Sequence, residues 1–214
     1  MNTKIAIAVV SNRLIKPKTT LALMRMIAAT PHEVFPIMST EGYTTAEGRN
    51  YCVIQALKNN CTHLLFVDDD MTFPEDTIER LLAHNKEIVG VYSYSRKLPL
   101  SPTVAFLDAE GNYKPQDQIA FLTKPEELFK CYSIGMGVAL LDLNLFSIID
   151  KPWFYFDVHE SGKILTGEDA WLCKQARAKG FDVWCDPTID IGHIGDFIYG
   201  EDEYLEDEGK ITYD

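Results

Sequence analysis

The sequence predicts a single-domain α/β protein built on a Rossmann-like, mostly parallel sheet flanked by helices. Three observations lead there. Short apolar runs alternate with segments of helical periodicity from Lys4 to Tyr92, the pattern of strand-helix units that make a parallel sheet covered on both faces. No repeat, low-complexity stretch or linker-like composition divides the 214 residues, a length that suits one core. The hydrophobic share of 46% and charged share of 24% are those of an ordinary globular chain.

Taken in order, Lys4 to Val10 is an apolar run ending at Ser11-Asn12, as a buried strand does before a loop. Thr19 to Ala29 carries apolar residues at helical spacing and stops before Thr30-Pro31. Val34 to Met38 reads as a strand, Ala46 to Asn59 as a helix, and His63 to Val67 as a strand running straight into Asp68-Asp69-Asp70. Thr72 with Glu75 three positions on, and Pro74 in the first turn, predict a capped helix through Ala83. Glu87 to Tyr92 is the next strand. Ser95 to Leu128 holds Pro99, Pro102, Gly111-Asn112 and Pro115, which predicts loops and short strands over one sheet edge. Regular structure resumes from Cys131 to Leu143 around Gly135-Met136-Gly137, then in a helix from Gly167 to Lys179 closed by Gly180, and in a last strand from Phe181 to Cys185.

The net charge of −12 disfavours nucleic acid as a partner, since phosphate contacts come mainly from Lys and Arg. Much of the imbalance lies in the run from Glu201 to Glu208, so a local basic groove elsewhere is compatible with it. Five cysteines, an odd number without a C-x-x-C pair and mostly in apolar segments, read as reduced core thiols. The start lacks a signal-peptide pattern, and no stretch approaches a membrane span. A cytoplasmic location is expected, in a bacterium or in a host cell.

Ligands of open parallel sheets bind beyond the carboxyl ends of the strands, where Asp68-Asp69-Asp70 falls. Three adjacent carboxylates repel one another and are costly to hold without a cation; a solvated strand-to-helix turn is the plainer alternative. The segment His63 to Pro74, with its three aspartates, resembles the strand and D-x-D motif of glycosyltransferases with the glycosyltransferase-A fold, in the form found among small bacterial and phage-encoded members. Arg49-Asn50 on the preceding helix, Gly135-Met136-Gly137, Gly167-Glu168-Asp169 at a helix start, Asp186-Pro187 and Gly192-His193-Ile194-Gly195 agree with it. The likeness spans Ile5 to Gly195. It implies a catalytic domain over residues 1–198 and an acidic tail over 199–214.

The resemblance implies a metal-dependent glycosyltransferase that moves a hexose or pentose from a nucleotide-sugar, a UDP-sugar foremost, to a hydroxyl of a saccharide, protein or modified DNA base. Asp68 would face the ribose or the metal, with Asp69 beside it, while Asp70 and His193 would hold the cation. A nitrogen ligand favours Mn²⁺ over Mg²⁺. Without its flanking glycines, His193 would read as a surface residue. Asp169 would be the general base with Glu168 as support, although Thr166-Gly167-Glu168-Asp169 also reads as a helix cap. Ser11, Asn12, Arg49, Arg96 and Gly137 would line the donor pocket, with Lys97 next to it. Arg49 equally suits an exposed helix face, and Arg96 and Lys97 a solvated loop. Trp153-Phe154-Tyr155-Phe156 offers either a sugar platform or core packing.

Three rival readings use the same residues. Asp68-Asp69-Asp70-Met71-Thr72 also resembles the D-x-D-x-T motif of haloacid-dehalogenase-type phosphatases, with Asp68 as nucleophile. That motif normally follows a first strand, whereas two strand-helix units precede it here. A sugar nucleotidylyltransferase would want a glycine-rich, arginine-containing loop after the first strand. A non-catalytic nucleotide-sugar-binding module is the third, marked by an inert Asp169.

Overall fold

The computed structural model describes residues 3–11, 14–39, 42–96, 100–114, 124–195 and 198–199. β1 (Lys4–Val10), α1 (Pro17–Ala29), β2 (Glu33–Ser39), α2 (Thr45–Lys58) and β3 (His63–Asp68) form the opening alternation. There follow β4 (Met71–Thr72), α3 (Thr77–Ala83), β5 (Ile88–Val91), β6 (Phe106–Leu107), β7 (Tyr113–Lys114), β8 (Phe129–Cys131) and β9 (Val138–Asp142). After a 3-10 turn at Leu143–Ser147 come β10 (Asp157–Val158), β11 (Ile164–Thr166), α4 (Glu168–Ala178), β12 (Val183–Asp186), β13 (Gly192–Ile194) and β14 (Ile198–Tyr199).

Seven strands make the central sheet, in the order β2-β1-β3-β9-β5-β12-β8. β1 pairs parallel with β2 and β3, and β5 with β12; β9 runs antiparallel to β3 and β5, and β8 antiparallel to β12. The sheet is thus mostly parallel in strand direction, with β8 and β9 reversed. The segment from Cys131 to Leu143 divides at Gly135-Met136-Gly137, so β8 sits at the sheet edge and β9 at its centre. α3 begins at Thr77, later than its sequence suggests, because Met71 and Thr72 pair with β13 instead.

Successive side chains of a strand point to opposite faces, and here both faces are buried. Ile5, Ile7 and Val9 of β1, with Leu65 and Val67 of β3, pack in one cluster with residues of α1 and α3. Ala6, Ala8, Leu64 and Phe66 pack in the other with residues of α2 and α4. α2 has a complete capping box between Thr44 and Glu47. It lies so close to β2 that a Cβ on Gly48 would come 2.9 Å from Ser39 Oγ, which seats the next residue, Arg49, deep in the fold. The five cysteines are free and buried. Among the described residues no helix is long and apolar enough to cross a membrane.

Candidate active site

From β1 the chain goes outward to β2 and then returns to β1's other side as β3. That reversal opens a crevice at the carboxyl ends of β1 and β3, and Ser11 and the three aspartates stand there. Ser11 is bonded to the Asp69 carboxyl, and the Lys16 N–H donates to the Asp69 carbonyl at 2.8 Å. Burial pushes the Asp69 carboxyl above its ordinary range; the Ser11 bond opposes this, and the charges of Asp70 and Asp68 add to it.

Asp70 is buried, and each of its oxygens meets a cationic side chain: Oδ2 lies 2.7 Å from Arg96 Nη1, and Oδ1 lies 3.2 Å from His193 Nε2. β13 delivers His193 by pairing with β4 directly after the aspartates, His193 opposite Met71. Burial raises the Asp70 carboxyl, but the His193 bond and the His193 and Arg96 charges outweigh it, and the net shift is downward. Burial lowers the His193 imidazole, while Asp70 and the Tyr94 carbonyl raise it further. His193 Nδ1 lies 2.8 Å from the Tyr94 carbonyl, so Nδ1 keeps a proton, and Nε2, which faces Asp70 Oδ1, offers a lone pair only when the ring gives up its second proton.

Asp70 Oδ1 and His193 Nε2 face each other directly, and a divalent ion entering between them would take the place of that contact. Adjacent ligands on one such ion sit about 3 Å apart, the Tyr94 carbonyl fixes the ligating tautomer, and the donor set is one oxygen and one nitrogen. It is a pair and not a cage: among the described residues no group of three or more His, Cys, Asp or Glu is placed to hold a metal. Asp68 is not brought into it. Its Oδ1 is turned to Arg49 Nη2 at 3.3 Å, and its backbone N–H donates to the Gly137 carbonyl.

Arg49 lies below the site. Its side chain is 2% exposed, with Nε 3.2 Å from Asp169 Oδ1 and 3.5 Å from Glu168 Oε1, and Nη1 donates to the Met136 carbonyl. The guanidinium also stands over the rings of Phe66 and Phe154. It therefore joins three carboxylates from two distant parts of the chain and has no face left for a nucleotide. Asn50 beside it closes both backbone bonds of Phe154. Replacing Arg49 with Met should cost about 3–5 kcal/mol in denaturant unfolding, because three carboxylates would lose their counter-charge.

Asp169 stands on the first turn of α4, whose N-cap is Gly167 with no side-chain cap bond. The capping alternative with Thr166 therefore does not hold; Thr166 belongs to β11. Asp169 Oδ2 accepts from the Met136 N–H at 3.0 Å. Its Oδ1 is sealed from water and ion-paired to Arg49 without a well-directed hydrogen bond. Part of the side chain still reaches solvent, 26% exposed. Burial pushes this carboxyl up to about 7; Arg49 pulls it down, and Glu168 and Asp68 push it up again.

Asp68, Glu168, Asp169, Gly137 and His193 all line one pocket of about 270 Å³. Ser93, Thr103 and Ser133 add hydroxyls to its wall, with Ser93 Oγ 2.7 Å from Thr103 Oγ1. No local motif marks these hydroxyls in the sequence. A Cβ on Gly137 would come 3.3 Å from Asp68 Oδ2 and 3.5 Å from Met71 Sδ. Gly137→Ala should therefore displace Asp68 while leaving the fold within about 1 kcal/mol of its stability in denaturant unfolding. Trp153 and Phe154 are core, and Tyr155 is exposed. Asn12, Lys97 and the tail from Gly200 onward lie outside the described residues.

The sheet order and the reversed central strand are those of the glycosyltransferase-A-like fold, and solved structures share it. A197 from STIV superposes with a TM-score of 0.63 at 14% identity, over 90% of this chain and 86% of that one. GalNAc-T7, solved with UDP, GalNAc and Mn²⁺, superposes with a TM-score of 0.52 at 13% identity, over 90% of this chain but 44% of that one. No family model matches the sequence, nor does any curated protein.

Proposed function

We propose that this chain is a metal-dependent glycosyltransferase acting on a nucleotide-diphosphate sugar and a hydroxyl acceptor. One observation carries the reading: the carboxyl edge of the sheet sets a cation-ready pair, Asp70 and His193, beside a pocket that also holds a separate carboxyl, Asp169, poised near neutral pH. The two are suited to opposite ends of one displacement. Asp169 takes the proton of the acceptor hydroxyl as its oxygen attacks the anomeric carbon, and the bond from that carbon to the β-phosphate oxygen breaks. Attack opposite the leaving group inverts the anomeric centre.

A divalent ion held by Asp70 and His193 would supply Lewis acidity to the departing diphosphate, and the nitrogen ligand favours Mn²⁺ over Mg²⁺. Arg96 and the Ser11–Asp69 edge would meet the donor's phosphates and nucleoside. Arg49 serves as a positioning residue that holds Asp68, Glu168 and Asp169. GalNAc-T7 was solved with UDP, GalNAc and Mn²⁺ on the same fold, which supports a UDP-sugar first. The test is turnover of UDP-, GDP-, CMP- and dTDP-sugars with Mn²⁺ beside a generic phosphatase substrate. Release of free sugar from one donor is expected. Hydrolysis of the phosphatase substrate alone, lost in Asp68→Ala, would replace this reading with the phosphohydrolase one.

A further inference from the structure

The outer face of α1 has a chemistry unlike the rest of the chain. No Asp or Glu occurs before Glu33, while Lys4, Arg13, Lys16, Lys18 and Arg25 fall within that stretch of a protein whose net charge is −12. α1 turns Thr19, Ala22, Leu23 and Met26 into the core. Its other side is not polar: Leu14, just ahead of the helix, is 82% exposed and Met24 63%, and Leu21 and Ile27 are exposed with them. Leu21, Met24 and Ile27 are spaced three apart, which makes each the neighbour of the next along the helix. Lys16, Lys18 and Arg25 are exposed around them.

Large aliphatic side chains beside basic ones, on a surface helix whose own sequence holds no acidic residue, are what an anionic bilayer interface accepts. A second copy of this chain fits the face less well. Across a two-fold axis the same basic face of each copy would be set against the other, like charge toward like. The four apolar residues expose on the order of 400 Å², about half of what each partner of a stable interface buries.

We propose that the outer face of α1 docks the protein on an anionic lipid surface, with Leu14, Leu21, Met24 and Ile27 entering the headgroup region and Lys16, Lys18 and Arg25 meeting lipid phosphates. The start of α1 is tied to the aspartate run by the Lys16 N–H on the Asp69 carbonyl. Docking therefore sets the candidate active site beside the bilayer, within reach of an acceptor carried there.

The experiment is co-flotation of the full chain with vesicles of phosphatidylcholine alone or with about one-third phosphatidylglycerol. Binding is expected to the anionic vesicles only, and to weaken as salt rises. Lys18→Glu with Arg25→Glu should weaken it at least about tenfold. Leu21→Ser with Met24→Ser should also weaken it severalfold with every charge retained; all four positions are exposed, and unchanged circular dichroism will show that the variants fold. No flotation of the wild type overturns the proposal. So does flotation that survives both double variants, or a concentration-dependent dimer that Met24→Glu dissolves in the absence of vesicle binding.

Discussion

Asp169→Asn should keep donor binding and lose turnover by roughly 100- to 10,000-fold, the range that a positioned general base supplies. The amide oxygen can still accept from the Met136 N–H, while its NH₂ takes the place of Oδ1 beside Arg49 Nε and that ion pair is lost. The wild-type rate should fall about tenfold per pH unit below the Asp169 pKa of about 7 and level off above it, and the variant should lack that limb. Stability moves the other way. With a folded pKa above the ordinary carboxylate value, the native state binds more protons than the unfolded chain between about 4 and 7. The wild type therefore loses stability as pH rises through that window. Asp169→Asn should flatten that slope, read by denaturant unfolding at several pH values. An acidic limb of the rate that persists in the variant would show that Asp169 is not the base.

Asp70→Ala should weaken Mn²⁺-dependent donor binding at least about 100-fold, since it removes one of the two side chains that fit the ion and frees Arg96 from its place. Binding calorimetry with and without the metal reads this directly. His193→Ala should fall in the same direction and by less, because Asp70 keeps Arg96. Asp68→Ala should spare the metal dependence, because Asp68 Oδ1 is engaged with Arg49 and not with the Asp70–His193 pair. Equal loss of metal dependence in Asp68→Ala and Asp70→Ala would restore Asp68 to the ligand set.

The elements from β1 to β3 were legible because each is a local pattern: an uninterrupted apolar run or a helical period, closed by Thr-Pro, Asn or Asp. The reversed β9 was not, since a buried strand has the same apolar run whichever way it points. β4 was hidden because Met71 and Thr72 reveal their pairing only when β13 returns to them. In the site, Asp70 and Asp169 stand out as polar residues at element ends, and His193 by the glycines on either side of it. Arg49 was misplaced toward the nucleotide because its partner Glu168 lies 119 residues on, and nothing local distinguishes a buried arginine from one on an exposed helix face. The Met136 N–H and the Tyr94 carbonyl belong to the backbone, so no residue type could have announced them.

The central claim is that Asp70 and His193 present a cation to a nucleotide diphosphate. It is tested most directly by titrating the protein calorimetrically with UDP and with UMP, each in Mn²⁺ and in EDTA, and repeating this with the other nucleoside diphosphates. The account predicts that one nucleoside diphosphate binds in Mn²⁺, that the corresponding monophosphate binds far more weakly, and that EDTA abolishes the difference. Binding of equal strength in EDTA, or no binding by any diphosphate in Mn²⁺, would contradict it.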